Sequence, residues 1–220
     1  MNNLVKQTKS LTIILDLDFC LFDTNSMRDA LAEQFRDFFA VHEFFKRWSM
    51  KQLIDKAWAT APHNLVEELE CPSEVAEAFL NFYRGLKVPQ DVELYPDVSA
   101  ALETLQRQET PLFLVTKGIE EFQRQKVEVL GIEYFFQDIV YVGPDSKIKT
   151  KKQAFEALAV GHQFSLCDTL VVGDSNDELT AGRKLGATTV QTRRPGIKRH
   201  DADHHVSDLH ELLKLLPRVS

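Results

Sequence analysis

The stretch Leu11-Thr12-Ile13-Ile14-Leu15-Asp16-Leu17-Asp18-Phe19-Cys20-Leu21-Phe22-Asp23-Thr24 runs five apolar or β-branched residues straight into two carboxylates spaced one apart. The run over residues 11–15 predicts a strand buried on both faces, as in a parallel sheet. The carboxyl end of such a strand is where open α/β sheets bind ligands. Two acids there would repel by about 4 kcal/mol at ~4 Å and an effective dielectric of about 20. A divalent cation is the usual means of offsetting such a repulsion. The pair therefore points to a metal site, provided the rest of the chain supplies the other parts.

Downstream of Thr24 the pattern turns helical. Met27, Leu31, Phe35, Phe38, Phe45 and Trp48 recur at helical spacing and predict one long amphipathic helix over residues 26–48. A second helix is expected over 51–59 and ends at Pro62. Asn64 is a candidate cap for a short helix through Leu69, and Ser73 for another that stops at Gly85. Residues 24–91 thus read as an all-helical insert. The aromatic stripe of its first helix reads as core rather than as a base-stacking surface.

From Val92 onward strands alternate with helices. Asp97 is a candidate N-cap for a helix over 98–108. Strands are expected over 111–116, 139–142, 169–172 and 188–191, with helices ending at Gly131, Gly161 and Gly186. A last helix over 208–216 takes Ser207 as its cap. This alternation implies an α/β fold with a doubly wound parallel sheet. Residues 1–23 and 92–220 form that core, and the helical segment 24–91 is a cap inserted after the first strand.

Composition narrows the function. The chain has 220 residues and a net charge of −7, which argues against broad nucleic-acid binding, since that needs a basic footprint. Cys20, Cys71 and Cys167 form no CxxC pair, so reduced thiols and a cytoplasmic location are expected. Residues 1–10 hold two lysines and no apolar run, so no signal peptide is expected, and no apolar stretch approaches the ~18 residues of a membrane span. His200, His204 and His205 match no standard ligand spacing.

Other strand ends also carry polar groups: Thr116 closes the second strand, and Asp174 follows the fourth. Lys149 stands just before the helix that precedes that fourth strand. In a parallel sheet these ends share one edge. The series Asp16-x-Asp18, Thr116, Lys149 and Gly173-Asp174-Ser175-Asn176-Asp177-Glu178 resembles, in order, the four motifs of the haloacid dehalogenase superfamily. Leu94-Tyr95-Pro96-Asp97 and Gly186-Ala187-Thr188 are similar to its flanking turns. The resemblance covers about residues 9–23 and 92–216, and it points to the phosphatase branch with a helical cap.

The resemblance implies a role for each residue. Asp16 would be the nucleophile that forms an aspartyl-phosphate, and Asp18 the general acid and then base. Mg²⁺ would be held by the side chains of Asp16 and Asp174 and the carbonyl of Asp18. Thr116 and the N–H of Lys117 would bind phosphate, and Lys149 would neutralise developing charge. Lys149 is preferred over Lys147, Lys151 and Lys152 because its spacing to Phe155 and Asp174 fits the family pattern. The second acid of the fourth motif falls at Glu178 or at Asp177; Glu178 also reads as a first-turn acid favoured by the helix dipole. Phe19 and Cys20 depart from the pattern, standing where relatives more often have a small residue and Thr.

The expected function is a Mg²⁺-dependent phosphatase of a small phosphorylated metabolite: phosphoglycolate, a sugar phosphate or a nucleoside monophosphate. A phosphomutase resembling β-phosphoglucomutase uses the same residues, and a silent binding module on this fold is a further alternative. A phospho-accepting receiver domain would lack the helical insert. No nucleic-acid or membrane partner is expected, and the chain would act as a monomer or homodimer. Arg28, Arg47, Lys51, His63 and Arg84 are the insert residues with reach toward an anionic substrate.

Overall fold

A computed structural model describes residues 11–144 and 146–216. The N-terminal segment in which no signal peptide is expected lies outside the described residues. The chain opens with β1 (Thr12–Leu15), followed by α1 (Arg28–Val41), α2 (Met50–Ala59), α3 (Pro62–Glu68) and α4 (Ser73–Arg84). Then come α5 (Val98–Arg107), β2 (Leu112–Lys117), α6 (Glu120–Leu130), β3 (Asp138–Val142) and α7 (Lys151–Gly161). The chain continues through β4 (Thr169–Gly173), α8 (Asn176–Lys184), β5 (Thr188–Thr192), β6 (His204–Val206) and α9 (Leu209–Leu215). Among the described residues no helix is long and apolar enough to cross a membrane.

The strands form one parallel sheet in the order β3-β2-β1-β4-β5-β6. Succession runs outward in both directions from β1, so the switch in strand order lies between β1 and β4, the position at which open α/β sheets bind ligands. Alternate side chains of each strand feed opposite faces. Ile13 and Leu15 join Leu112, Leu114, Leu170 and Val172 on one face, which also packs against the insert. Ile14 joins Phe113, Val115, Val171 and the buried face of α7 on the other.

The helical insert leaves at Phe22 and returns at Leu94, and these two residues bridge antiparallel. Its aromatic core comes from α1, α4 and the turn after α1. Phe39 lies 5.9 Å from Phe79 and 4.8 Å from Phe45, ring to ring. The latter contact explains why the single helix expected over 26–48 is broken. Six residues of straight helix would separate Phe39 and Phe45 by about 9 Å. The chain instead becomes extended at His42 (φ −101°, ψ 112°) and turns back through a 3₁₀ segment, Glu43–Arg47, which lays Phe45 on Phe39. The helix before Pro62 ends at Ala59 as expected, but Pro62 also starts the next one, at the first helical position where its missing N–H costs nothing, so Asn64 lies inside α3 and does not cap it.

The return link rests on α6. The side-chain amide of Gln125 accepts from the N–H of Val88 (3.4 Å) and donates to the carbonyl of Leu86 (3.2 Å). Tyr83 of α4 meets Phe122 of α6 at 5.9 Å.

The structure corrects two further expectations. Residues 204–206, for which no strand is expected from sequence, form an edge strand parallel to β5, and Asp203 beside it accepts from the N–H and hydroxyl of Thr189. Asp97 does not cap α5 with its side chain. Its carboxylate takes two hydrogen bonds from Arg194, at 2.7 and 2.9 Å, and one from the N–H of Leu209, at 2.8 Å. Arg194 also donates to the carbonyl of Cys20 and stacks on Tyr95 at 4.1 Å. Burial works against the Asp97 carboxylate, but Arg194 and the Leu209 N–H hold its pKa below the usual range. The pair thus ties α5, α9 and the loop after β1 together. Removing one partner strands the other in the interior, so Arg194→Met should lower stability by about 3 kcal/mol or more in urea denaturation. Arg194→Met with Asp97→Leu should cost less than the sum of the two single changes.

Candidate active site

Asp16 follows β1 directly and is 7% exposed. Its N–H bonds the carbonyl of Val172 on β4 at 2.9 Å, so the switch point of the sheet holds its backbone. The chain then makes one tight turn, in which the N–H of Leu21 bonds the carbonyl of Leu17. Asp18 projects from this turn. One of its carboxylate oxygens accepts from Thr24 Oγ1 (2.9 Å) and Lys126 Nζ (2.7 Å), the other from Gln123 Nε2 (3.2 Å). Gln123 and Lys126 lie on the buried face of α6 with Phe122 and Val127. Gln123 also donates to the carbonyl of Lys117, and it approaches Gly118 so closely that a Cβ there would sit 2.4 Å from its amide.

Asp174 and Glu178 come from the turn after β4 and the start of α8. Ser175 caps this helix in a capping box with Glu178 at the third position, and both its N–H and its hydroxyl donate to the Glu178 carboxylate. Gly173 leaves room for this carboxylate, since a Cβ would lie 2.5 Å from Oε1. Oxygen atoms of Asp16, Asp174 and Glu178 all lie within 4.8 Å of one another.

The lysine among them is Lys151. Lys149, chosen from sequence, does not reach the carboxylates: it is exposed, and its ammonium bonds the carbonyl of Pro144 at 2.5 Å. The reason is the start of α7. Thr150 is its N-cap, so Lys151 takes the first helical position on the face that carries Ala154, Phe155 and Leu158 inward. Lys151 is 3% exposed and contacts Asp16 Oδ1 at 2.9 Å and Glu178 Oε2 at 3.0 Å.

Asp177 faces out and pairs with the exposed Lys117 at 2.8 Å, across the rim of the crevice. Of the two alternatives for the fourth motif, it is Glu178 that the structure brings to Asp16 and Asp174. Thr116 lies at the end of the neighbouring strand β2; its hydroxyl is buried and has no hydrogen-bond partner among the described residues. Arg28, Arg47 and Arg84 of the insert engage other groups: Arg28 pairs with Asp55, Arg47 donates to the carbonyl of Leu69, and Arg84 donates to Asn81.

The site holds more negative than positive charge. Burial, only partly countered by Lys151, pushes the Asp16 carboxyl up to about 8. Burial and then Glu178 push Asp174 up to about 7. Burial disfavours the Lys151 ammonium, but Asp16 and Glu178 outweigh it and hold the lysine charged. The cluster can therefore bind a hard cation through carboxylate oxygens and can present an ammonium and a free hydroxyl to an anion.

A family model described as haloacid dehalogenase-like hydrolase matches residues 13–192, and the chain belongs to that family. Among curated relatives it is 22% identical over 212 residues to the pyrophosphatase PpaX of Halalkalibacterium halodurans, covering 93% of this chain and 96% of that one. A phosphoglycolate phosphatase of Vibrio cholerae is 32% identical over 93 residues, 42% of this chain and 41% of that protein. Among solved structures, the magnesium-bound HAD-hydrolase YfnB of Bacillus subtilis superposes with a TM-score of 0.62 at 18% identity, covering 94% of this chain and 98% of that one.

The placement of the lysines is directly testable. Lys151→Met leaves the carboxylates facing one another without a counter-charge and should cost about 3–5 kcal/mol in urea denaturation of the chelator-treated protein. Lys149→Ala should change stability by no more than about 0.5 kcal/mol.

Proposed function

We propose that the chain is a Mg²⁺-dependent phosphatase that hydrolyses a small phosphomonoester through an aspartyl-phosphate on Asp16. The observation that carries this reading is the buried ammonium of Lys151, 2.9 Å from Asp16, with the unpartnered hydroxyl of Thr116 at the end of the adjacent strand. An anion with several acceptor oxygens satisfies both. An unpaired buried hydroxyl costs about 1–3 kcal/mol, which a phosphate oxygen would remove.

In this reading an Asp16 oxygen attacks phosphorus. The bond to the leaving oxygen breaks, and that oxygen keeps the electron pair and takes a proton from Asp18. Asp18 then accepts a proton from water, which attacks phosphorus, releases Asp16 and forms inorganic phosphate. Thr24, Gln123 and Lys126 hold Asp18 in one orientation for both proton transfers. Lys151 balances negative charge on Asp16 and the phosphoryl oxygens, and Glu178 orients Lys151. Asp16, Asp174 and the carbonyl of Asp18 would hold Mg²⁺, which supplies the positive charge that lets an anionic phosphate approach an anionic carboxylate. The three clustered carboxylates fit such an ion. The helical insert acts as the cap that excludes water from the intermediate.

Purified protein should release phosphate from p-nitrophenyl phosphate with Mg²⁺ and lose the activity in EDTA. Asp16→Asn should lower kcat by ~10³-fold or more. No turnover by folded protein across a panel of small phosphomonoesters, or full activity in Asp16→Asn, would reject the proposal.

A second expectation concerns pH. Asp16 and Asp174 titrate near 8 and 7 in the folded chain, and near 3.8 when unfolded. The folded protein therefore binds more protons between about pH 4 and 8, and this contribution to stability is lost as pH rises through that window. Metal-free protein should melt roughly 5–10 °C lower at pH 8.5 than at pH 6. Mg²⁺ should raise Tm more at pH 8.5, as read by differential scanning fluorimetry.

A further inference from the structure

Between the insert and α6 lies a cavity of about 120 Å³. Five aromatic side chains line it: Phe19, Phe35, Trp58, Tyr83 and Phe122. Among its lining residues, Thr24 and Lys126 both donate to the same oxygen of Asp18. Two of its walls thus hold the residue that, in the reading above, protonates the leaving oxygen. The leaving group must lie on that side.

Lys126 is the one cation among the lining residues; it is 4% exposed and already bound to Asp18. A carboxylate or phosphate in the cavity would compete with Asp18 for this ammonium and loosen the acid that Lys126 holds, among walls that are mostly aromatic. A hydrocarbon meets no such penalty. An apolar cavity of ~150 Å³ holds benzene, so the space suits one ring or a short branched chain.

Phe19 gives an independent pointer. Its backbone sits at φ +54°, in the left-handed region where a side chain other than Gly is strained by about 1 kcal/mol. It is half-buried and stands outside the hydrophobic core that takes in its neighbours Leu17, Cys20, Leu21 and Phe22. A glycine would suit the backbone better, and core packing does not account for the ring. What the ring does is form a wall of the cavity beside Asp18.

We infer that this cavity is the leaving-group pocket, that Phe19 helps set its specificity, and that the preferred substrate is the phosphate monoester of a compact, uncharged, hydrocarbon-rich alcohol. This inference rests on the phosphatase reading. It separates this chain from relatives whose names specify phosphoglycolate or pyrophosphate, both of which carry anionic leaving groups.

The test compares kcat/KM with Mg²⁺ for benzyl phosphate, glycerol 3-phosphate, 2-phosphoglycolate and pyrophosphate. Benzyl phosphate and glycerol 3-phosphate are both alkyl esters, so intrinsic reactivity does not favour the first. Benzyl phosphate should exceed each of the others by a factor of ten or more. Phe19→Gly should fold with an unchanged or higher Tm and lower the benzyl-to-glycerol ratio at least fivefold, chiefly through KM. Trp58→Ala, in the insert, reads the same ratio away from the strained turn. A preference for phosphoglycolate, pyrophosphate or glycerol phosphate, or an unchanged ratio in both variants, would overturn the inference and leave the phosphatase reading intact. No turnover of any of the four would overturn both.

Discussion

Three carboxylates crowd one edge of a parallel sheet, and one buried ammonium lies among them. Asp16, Asp174 and Glu178 arrive from different elements, and Lys151 touches the first and the last. Buried charge of one sign is tolerated only when opposite charge meets it with good geometry. Much of the local architecture follows from this. Thr150 starts α7 where Lys151 points inward, Ser175 fixes the Glu178 carboxylate, and Gly173 makes room for it. The cluster remains short of positive charge, as the raised pKa values of Asp16 and Asp174 record. A fold that builds such a deficit at its ligand crevice is prepared for a cation and a polyanion together.

The sheet supplies the position and a buried ion pair holds it. β1 and β4 lie side by side at the switch in strand order, and the acids follow their carboxyl ends. The turn after Asp16 has little regular structure of its own. Arg194 grips it from below through the carbonyl of Cys20 while bonding Asp97. The charged groups that shape this site are thus spread from Asp16, at the end of the first strand, to Arg194, beyond β5.

Most of the fold was legible in the sequence because buried parallel strands read as apolar runs and glycines closed the helices where expected. The misses have two physical causes, helix phase and tertiary contact. Lys149 fitted a spacing, but the pattern Thr150-x-x-Gln153 marks a helix start, and Lys151 then shares a face with Ala154, Phe155 and Leu158. Counting along that face would have selected the lysine that reaches Asp16 and Glu178. Gln123 and Lys126 could have been found the same way, as polar residues on the stripe of Phe122 and Val127. Asp97 had a local explanation as a cap, while its partner lies 97 residues away, and no local pattern reports such a pairing. The break at His42 is likewise tertiary, since Phe45 must fold back to reach Phe39.

Helix α6 carries two sets of contacts on adjacent turns. Gln123 and Lys126 grip Asp18, while Gln125, between them in sequence, holds the return link of the insert through Leu86 and Val88. One helix therefore both anchors the return link of the insert and brackets the Asp18 carboxylate. The contacts that seat the insert and those that hold Asp18 thus share one stretch of backbone, so a change that unwinds this part of α6 would disturb both.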